Sequence, residues 1–148
     1  MIAATELRIG NLFWDNYGGY YIVRGLRTKK DGNPWDIEAQ HVRGGLIGAF
    51  TFEQAIPVAL TPEILEKCGF VKDTDIWHGD GISYYHLPIA GMEDVTDNID
   101  IRFGSEEDDT GAIDAVFVGQ QDIKHIRSLH HLQNLIYVLT GKELIYTT

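Results

Sequence analysis

Apolar and polar positions change period twice along this chain. Leu7 to Trp14 is mostly apolar and ends on Leu12-Phe13-Trp14, and Asp15-Asn16-Tyr17-Gly18-Gly19 supplies turn residues. Tyr20-Tyr21-Ile22-Val23 is rich in β-branched and aromatic side chains, the composition of a pleated strand. Asp31-Gly32-Asn33-Pro34 and Arg43-Gly44-Gly45 are further turns, since Gly and Asn tolerate positive φ and Pro cannot join a central ladder. They bound a third strand from Trp35 to Val42, with Ile37 and Ala39 on one face, and a fourth from Leu46 to Phe52. A fifth is expected over Ile56 to Leu60. Short strands between Gly-rich turns predict a small SH3-like β-barrel or a meander.

Helical signals follow. Thr61 is an N-cap candidate, Pro62 suits the first helical position, and Glu63 suits the positive first turn. Gly69 can take the left-handed position after the last turn, so residues 61–70 predict a two-turn linking helix. Strand patterns return from Ile76-Trp77, past a His78-Gly79-Asp80-Gly81 turn, to Ile82–Ile89. Ile99, Ile101 and Phe103 alternate with Asp100 and Arg102, as in a half-buried strand. Gly104 to Gly111 reads as an acidic connection, Ala112 to Val118 as a strand, and Asp122 to Ile126 as one more. Ser128 is a second N-cap candidate. Leu129, Leu132, Leu135, Ile136 and Leu139 then recur at helical spacing up to Gly141. A last strand is expected through Leu144-Ile145-Tyr146.

The predicted class is α+β. A β-meander or barrel lobe spans residues 1–60, and an α+β lobe spans 61–148. In the second lobe an antiparallel sheet is covered by the C-terminal amphipathic helix. At 148 residues such a chain buries roughly 70% of its unfolded surface and needs no disulfide or structural metal. No 18-residue apolar stretch occurs, which argues against a membrane helix. Met1 to Glu6 has no basic region followed by an apolar run, so no signal peptide is expected. The single Cys68 cannot pair internally, which fits a reducing, cytoplasmic location.

Twenty-two acidic against twelve basic residues give a net charge of −10 and disfavour non-specific nucleic-acid binding. Residues 93–114 carry nine Asp or Glu and only Arg102, a segment suited to solvation or to a basic partner. Its carboxylates lack the alternate spacing, central Gly and terminal Glu of an EF-hand.

Three pieces in order along the chain carry a resemblance. They are Leu7-Arg8-Ile9-Gly10-Asn11; Pro57-Val58-Ala59-Leu60-Thr61-Pro62-Glu63-Ile64-Leu65-Glu66-Lys67-Cys68-Gly69-Phe70; and His130-His131-Leu132-Gln133-Asn134-Leu135-Ile136-Tyr137-Val138-Leu139-Thr140-Gly141-Lys142-Glu143-Leu144. Together they resemble a group of small proteins of no assigned activity from Bacteroidetes genomes, often in phages and mobile elements. The resemblance implies a phage-related context. It brings no catalytic residue onto these positions, and caps and core residues report fold rather than chemistry.

Candidate chemistry is sparse. No P-loop, Gly-x-Ser-x-Gly or Gly-x-Gly-x-x-Gly opening a helix is present, and no cofactor is implied. His130 and His131 are adjacent and diverge by about 100° on a helix, so no metal site is expected there. Gln133 and Asn134 interrupt the apolar helix as a structural bracket or a ligand contact. Cys68 ends its helix and is expected in the core. Trp14, Tyr17, Tyr20 and Trp35, with Arg24 and Arg27, combine aromatic faces with positive charge, the means by which small barrels receive peptides or bases. The leading expectation is a non-enzymatic binding protein with a protein partner of host or phage origin. A protein sequestering a nucleotide-like small molecule is one alternative. A small enzyme with His78, Asp80 and His86 around a pocket between lobes is another, and a homo-oligomeric structural subunit is a third.

Overall fold

The computed structural model describes residues 1–27, 34–73, 83–105 and 108–148. The class is α+β, with two antiparallel sheets of four and five strands and three α-helices among the described residues. The chain divides into two compact units. The first comprises residues 1–59 and 128–135 with Thr148, and the second residues 60–127 and 136–147. Among the described residues no helix is long and apolar enough to cross a membrane.

The first unit is a meander of β1 (Leu12–Trp14), β2 (Tyr20–Leu26), β3 (Ile37–His41) and β4 (Ile47–Phe50), in that order. The meander reading holds and the barrel does not. β1 and β4 are the sheet's two ends and do not pair with each other. The β1–β2 turn is built by Asp15, whose Oδ1 accepts the backbone N–H of Tyr17 at 2.8 Å and of Gly19 at 2.9 Å. Asn16 (φ 68°) and Gly18 (φ 101°) take the left-handed conformations this turn needs. Phe13, Val23, Ile37 and Ala39 face one core with Ile2, Leu7 and Ala55, and Tyr21, Phe50 and Phe52 pack against it. The expected fifth strand over 56–60 is replaced by two isolated bridges, Trp14 with Ile56 and Ala59 with Ser128. Pro57 has no N–H to continue a ladder there.

In the second unit the capped helix forms as expected. Thr61 Oγ1 accepts the N–H of Ile64 at 3.2 Å, α1 runs Pro62–Lys67, and Gly69 (φ 90°) lets Phe70 N–H return to Leu65 O at 2.9 Å. The sheet follows as β5 (Val71–Lys72), β6 (Ser83–His86), β7 (Ile99–Ser105), β8 (Asp108–Val118) and β9 (Gln121–Asp122). A short helix, α2 (Glu93–Thr96), precedes β7. The acidic stretch expected to be a connection is instead largely strand, with Ser105 in register with Asp108. Backbone pairing between two long neighbouring strands overrides low β-propensity. The expected strand at Ile76-Trp77 lies outside the described residues. The tail is not a strand: Leu144 and Tyr146 are buried, Ile145 is exposed, and Thr147 N–H donates to Lys67 O at 2.9 Å.

α3 (Leu129–Thr140) carries part of the expected apolar stripe: Leu129, Leu132 and Ile136 are buried, Leu135 is half-buried and Leu139 is exposed. The expectation placed this helix with the second sheet. Its residues up to Leu135 belong to the first unit, where Asn134 bonds to Asn11 and Gln133 to the Leu12 N–H.

Candidate functional site

The six residues expected to form one aromatic and basic surface do not converge. Trp14 and Tyr20 are cross-strand partners at the turn end of the β1–β2 hairpin, and Tyr17 stands on the turn itself, 94% exposed. Arg27 lies at the far end of β2, where its N–H donates to Asp36 O at 2.8 Å, beside exposed Trp35. At about 3.3 Å per residue, the seven residues of β2 separate these ends by roughly 20 Å. The positive charge is also engaged. Arg24 Nε donates to Gln40 Oε1 at 3.1 Å, and the Arg27 guanidinium pairs with Glu38.

What collects at the hairpin tip is aromatic and acidic. An open hollow of about 250 Å³ is lined by Asp15, Asn16, Tyr17, Phe50, Glu53, Gln54 and Ile56. It is lined by two aromatic side chains and two carboxylates, with no lysine or arginine in its wall.

His78 and Asp80 of the alternative pocket lie outside the described residues. His86 sits on β6, half-buried, in register with Val71 and Asp100.

A second cluster lies in the first unit, where the opening segment meets the first turn of α3. The Ser128 carbonyl accepts the N–H of Leu132 at 3.2 Å, which places Ser128 at the N-cap. Its hydroxyl lies 3.0 Å from Nδ1 of His130 and 3.0 Å from Nδ1 of His131. The two imidazoles therefore do not diverge as adjacency suggested, and their centroids are 4.1 Å apart. Helical side chains lean back towards the N-terminus, and one hydroxyl placed there gathers both rings.

Glu6 faces both imidazoles. Its Oε1 is 3.2 Å from Nε2 of His131, and its Oε2 is 3.6 Å from Nε2 of His130. The hydrogen bond from His131 holds the Glu6 carboxyl below its usual range. His130 is 1% exposed, and burial followed by the neighbouring His131 pushes its pKa down to about 4. A neutral His130 makes no ion pair with Glu6.

With His130 neutral, one arrangement of protons makes every short contact in the chain a hydrogen bond. His131 donates Nε2–H to Glu6 and accepts the Ser128 hydroxyl at Nδ1, and Ser128 accepts Nδ1–H from His130. That leaves the buried Nε2 of His130 as a bare lone pair facing a carboxylate oxygen, and this nitrogen has no hydrogen-bond partner. Such an orphan costs about 1–3 kcal/mol.

Sequence reading named His130, His131 and Ser128 but missed Glu6. More than a hundred residues separate Glu6 from the histidines, and a lone glutamate in an N-terminal segment carries no local signal. Comparison with protein-family models, with curated proteins and with solved structures finds no match.

Proposed function

We propose that this is a non-enzymatic binding protein whose first unit receives a basic side chain of a protein partner in the hollow at the β1–β2 hairpin tip. The observation that carries the reading is the lining: Tyr17 and Phe50 beside Asp15 and Glu53, around about 250 Å³. A guanidinium or ammonium gains from ring faces and carboxylates together, and the turn that presents Tyr17 is already ordered by Asp15, which lowers the entropy cost of binding. The net charge of −10 steers a basic partner towards the chain. In the phage-related context that the resemblance implies, the partner is a host or phage protein.

The test is calorimetric titration of the full chain with an arginine-rich peptide and with its citrulline counterpart. The expected result is salt-sensitive binding of the arginine peptide, weakened at least about tenfold by Tyr17→Ala or by Glu53→Gln. Equal binding of both peptides, or binding that survives the double variant, would overturn the reading.

A further inference from the structure

We propose that Glu6, His130 and His131 form a divalent-cation site of the zinc type, with both imidazole Nε2 atoms and one carboxylate oxygen as ligands and Ser128 orienting the two rings. The potential ligand atoms all lie within 4.8 Å of one another. Zinc bonds of about 2.0–2.1 Å to nitrogen and oxygen set tetrahedral ligand-to-ligand edges of about 3.3 Å. The contact of Glu6 Oε1 with His131 Nε2, at 3.2 Å, falls close to that edge, and the other carboxylate oxygen, Oε2, lies 3.6 Å from His130 Nε2.

The independent observation is the Nε2 of His130. It is buried, aimed at the carboxylate and without a partner. An ordinary hydrogen-bonded cluster leaves this nitrogen unexplained, because a lone pair against a carboxylate repels and a donor at 3.6 Å is too distant to bond. A cation between the three groups turns that conflict into coordination.

Coordination through both Nε2 atoms requires each ring to carry its proton on Nδ1. Ser128 Oγ then accepts Nδ1–H from both rings on its two lone pairs, and its own proton turns away. The donor set of two imidazoles and one carboxylate is that of zinc sites with an open fourth position. The openness lies on one side: His130 is buried, while the side chains of His131 and Glu6 are 24% and 42% exposed. The fourth ligand is accordingly water or a group arriving from solvent.

The experiment uses the full chain, stripped with chelator and titrated with Zn²⁺, then with Co²⁺ as a spectroscopic probe. The expected result is one Zn²⁺ per chain, reversed by chelator, with a rise in melting temperature and a visible Co²⁺ spectrum of tetrahedral intensity. Glu6→Gln and His131→Gln keep the metal-free melting profile close to wild type, because both side chains are partly exposed, and weaken Zn²⁺ binding at least about tenfold. Ser128→Ala weakens it by about 10–100-fold, the range for a group that orients ligands. Failure of the wild-type chain to take up Zn²⁺ at micromolar concentration would overturn the proposal. So would unchanged affinity in Glu6→Gln and His131→Gln, which would place the bound ion elsewhere.

Discussion

Asn134 Nδ2 donates to the backbone carbonyl of Glu6 at 2.9 Å, one helical turn beyond His130. The same side chain accepts from Asn11 Nδ2 at 2.9 Å and from Arg8 Nε at 3.1 Å through its Oδ1. Asn11 in turn accepts the N–H of Arg8 at 2.7 Å. One carboxamide on α3 therefore ties down the N-terminal segment and sets where the Glu6 side chain begins. Asn134→Ala is expected to cost about 1–3 kcal/mol by leaving Asn11 Nδ2 and the Glu6 carbonyl short of partners. Denaturant titration checks the loss. A double-mutant cycle with Asn11→Ala should show coupling of about 0.5–3 kcal/mol, and strict additivity would refute the link.

Gln133 closes the outer edge of β1 by a different route. Its Oε1 accepts the N–H of Leu12 at 2.8 Å, and Leu12 is fully buried. The neighbouring outward group on the same edge, Trp14 N–H, is taken by Ile56 O at 3.0 Å. β1 is an edge strand whose free groups are thus covered, which also blocks pairing with another chain. Gln133→Ala leaves a buried donor unmade and should lower stability by about 1–3 kcal/mol. Amide exchange at Leu12 should accelerate in step, and unchanged protection there would contradict the assignment.

Acid should weaken the first unit before it reaches the carboxylates. His130 has a folded pKa of about 4 against 6.5 when free. Between those values the unfolded chain binds the extra proton, so this stability is complete above pH 6.5 and declines as pH falls towards 4. At 1.36 kcal/mol per pH unit the full loss is about 3 kcal/mol. Glu6, with its pKa lowered in the fold, adds loss in the same direction below pH 4.5. Denaturant titrations from pH 7 to pH 4.5 in chelator should show the decline. His130→Gln should flatten it, and an equal slope in that variant would assign the effect to other groups.

Thr61→Ala should cost about 1 kcal/mol by removing the acceptor for the Ile64 N–H at the start of α1. Thr61→Ser should restore most of it. A melting temperature indifferent to the alanine would mean the cap is not limiting.

Cys68 is buried, and desolvation pushes its thiol up to about 12. With almost no thiolate at pH 8, labelling by a disulfide reagent should be slow in the native chain and fast in denaturant. Rapid native labelling would show that this end of α1 opens readily.

How much of this was legible beforehand follows from the range of each interaction. Thr61, Pro62, Gly69 and Phe70 specify a capped helix because every contact involved spans a few residues. The hairpin strands, the Asp15 turn and the α3 stripe are equally local, and they were read correctly in type if not in extent. The sequence by itself therefore determined an α+β chain with a run of short N-terminal strands, a linking helix and a C-terminal amphipathic helix, and it overcounted those strands by one at Ile56 to Leu60. It misjudged Gly104 to Gly111, where pairing with a neighbouring strand outweighed the residues' own preference. It also grouped Trp14, Tyr17, Tyr20, Arg24, Arg27 and Trp35 by nearness in sequence, whereas an extended strand keeps the two ends of that group apart. Only the tertiary structure brought Glu6 to His130 and His131, because that contact closes a loop of more than a hundred residues and depends on amides at Asn11, Gln133 and Asn134. Helical geometry alone sets adjacent side chains about 100° apart. A single hydroxyl at Ser128 and a carboxylate from the far end of the chain turn both rings onto one point.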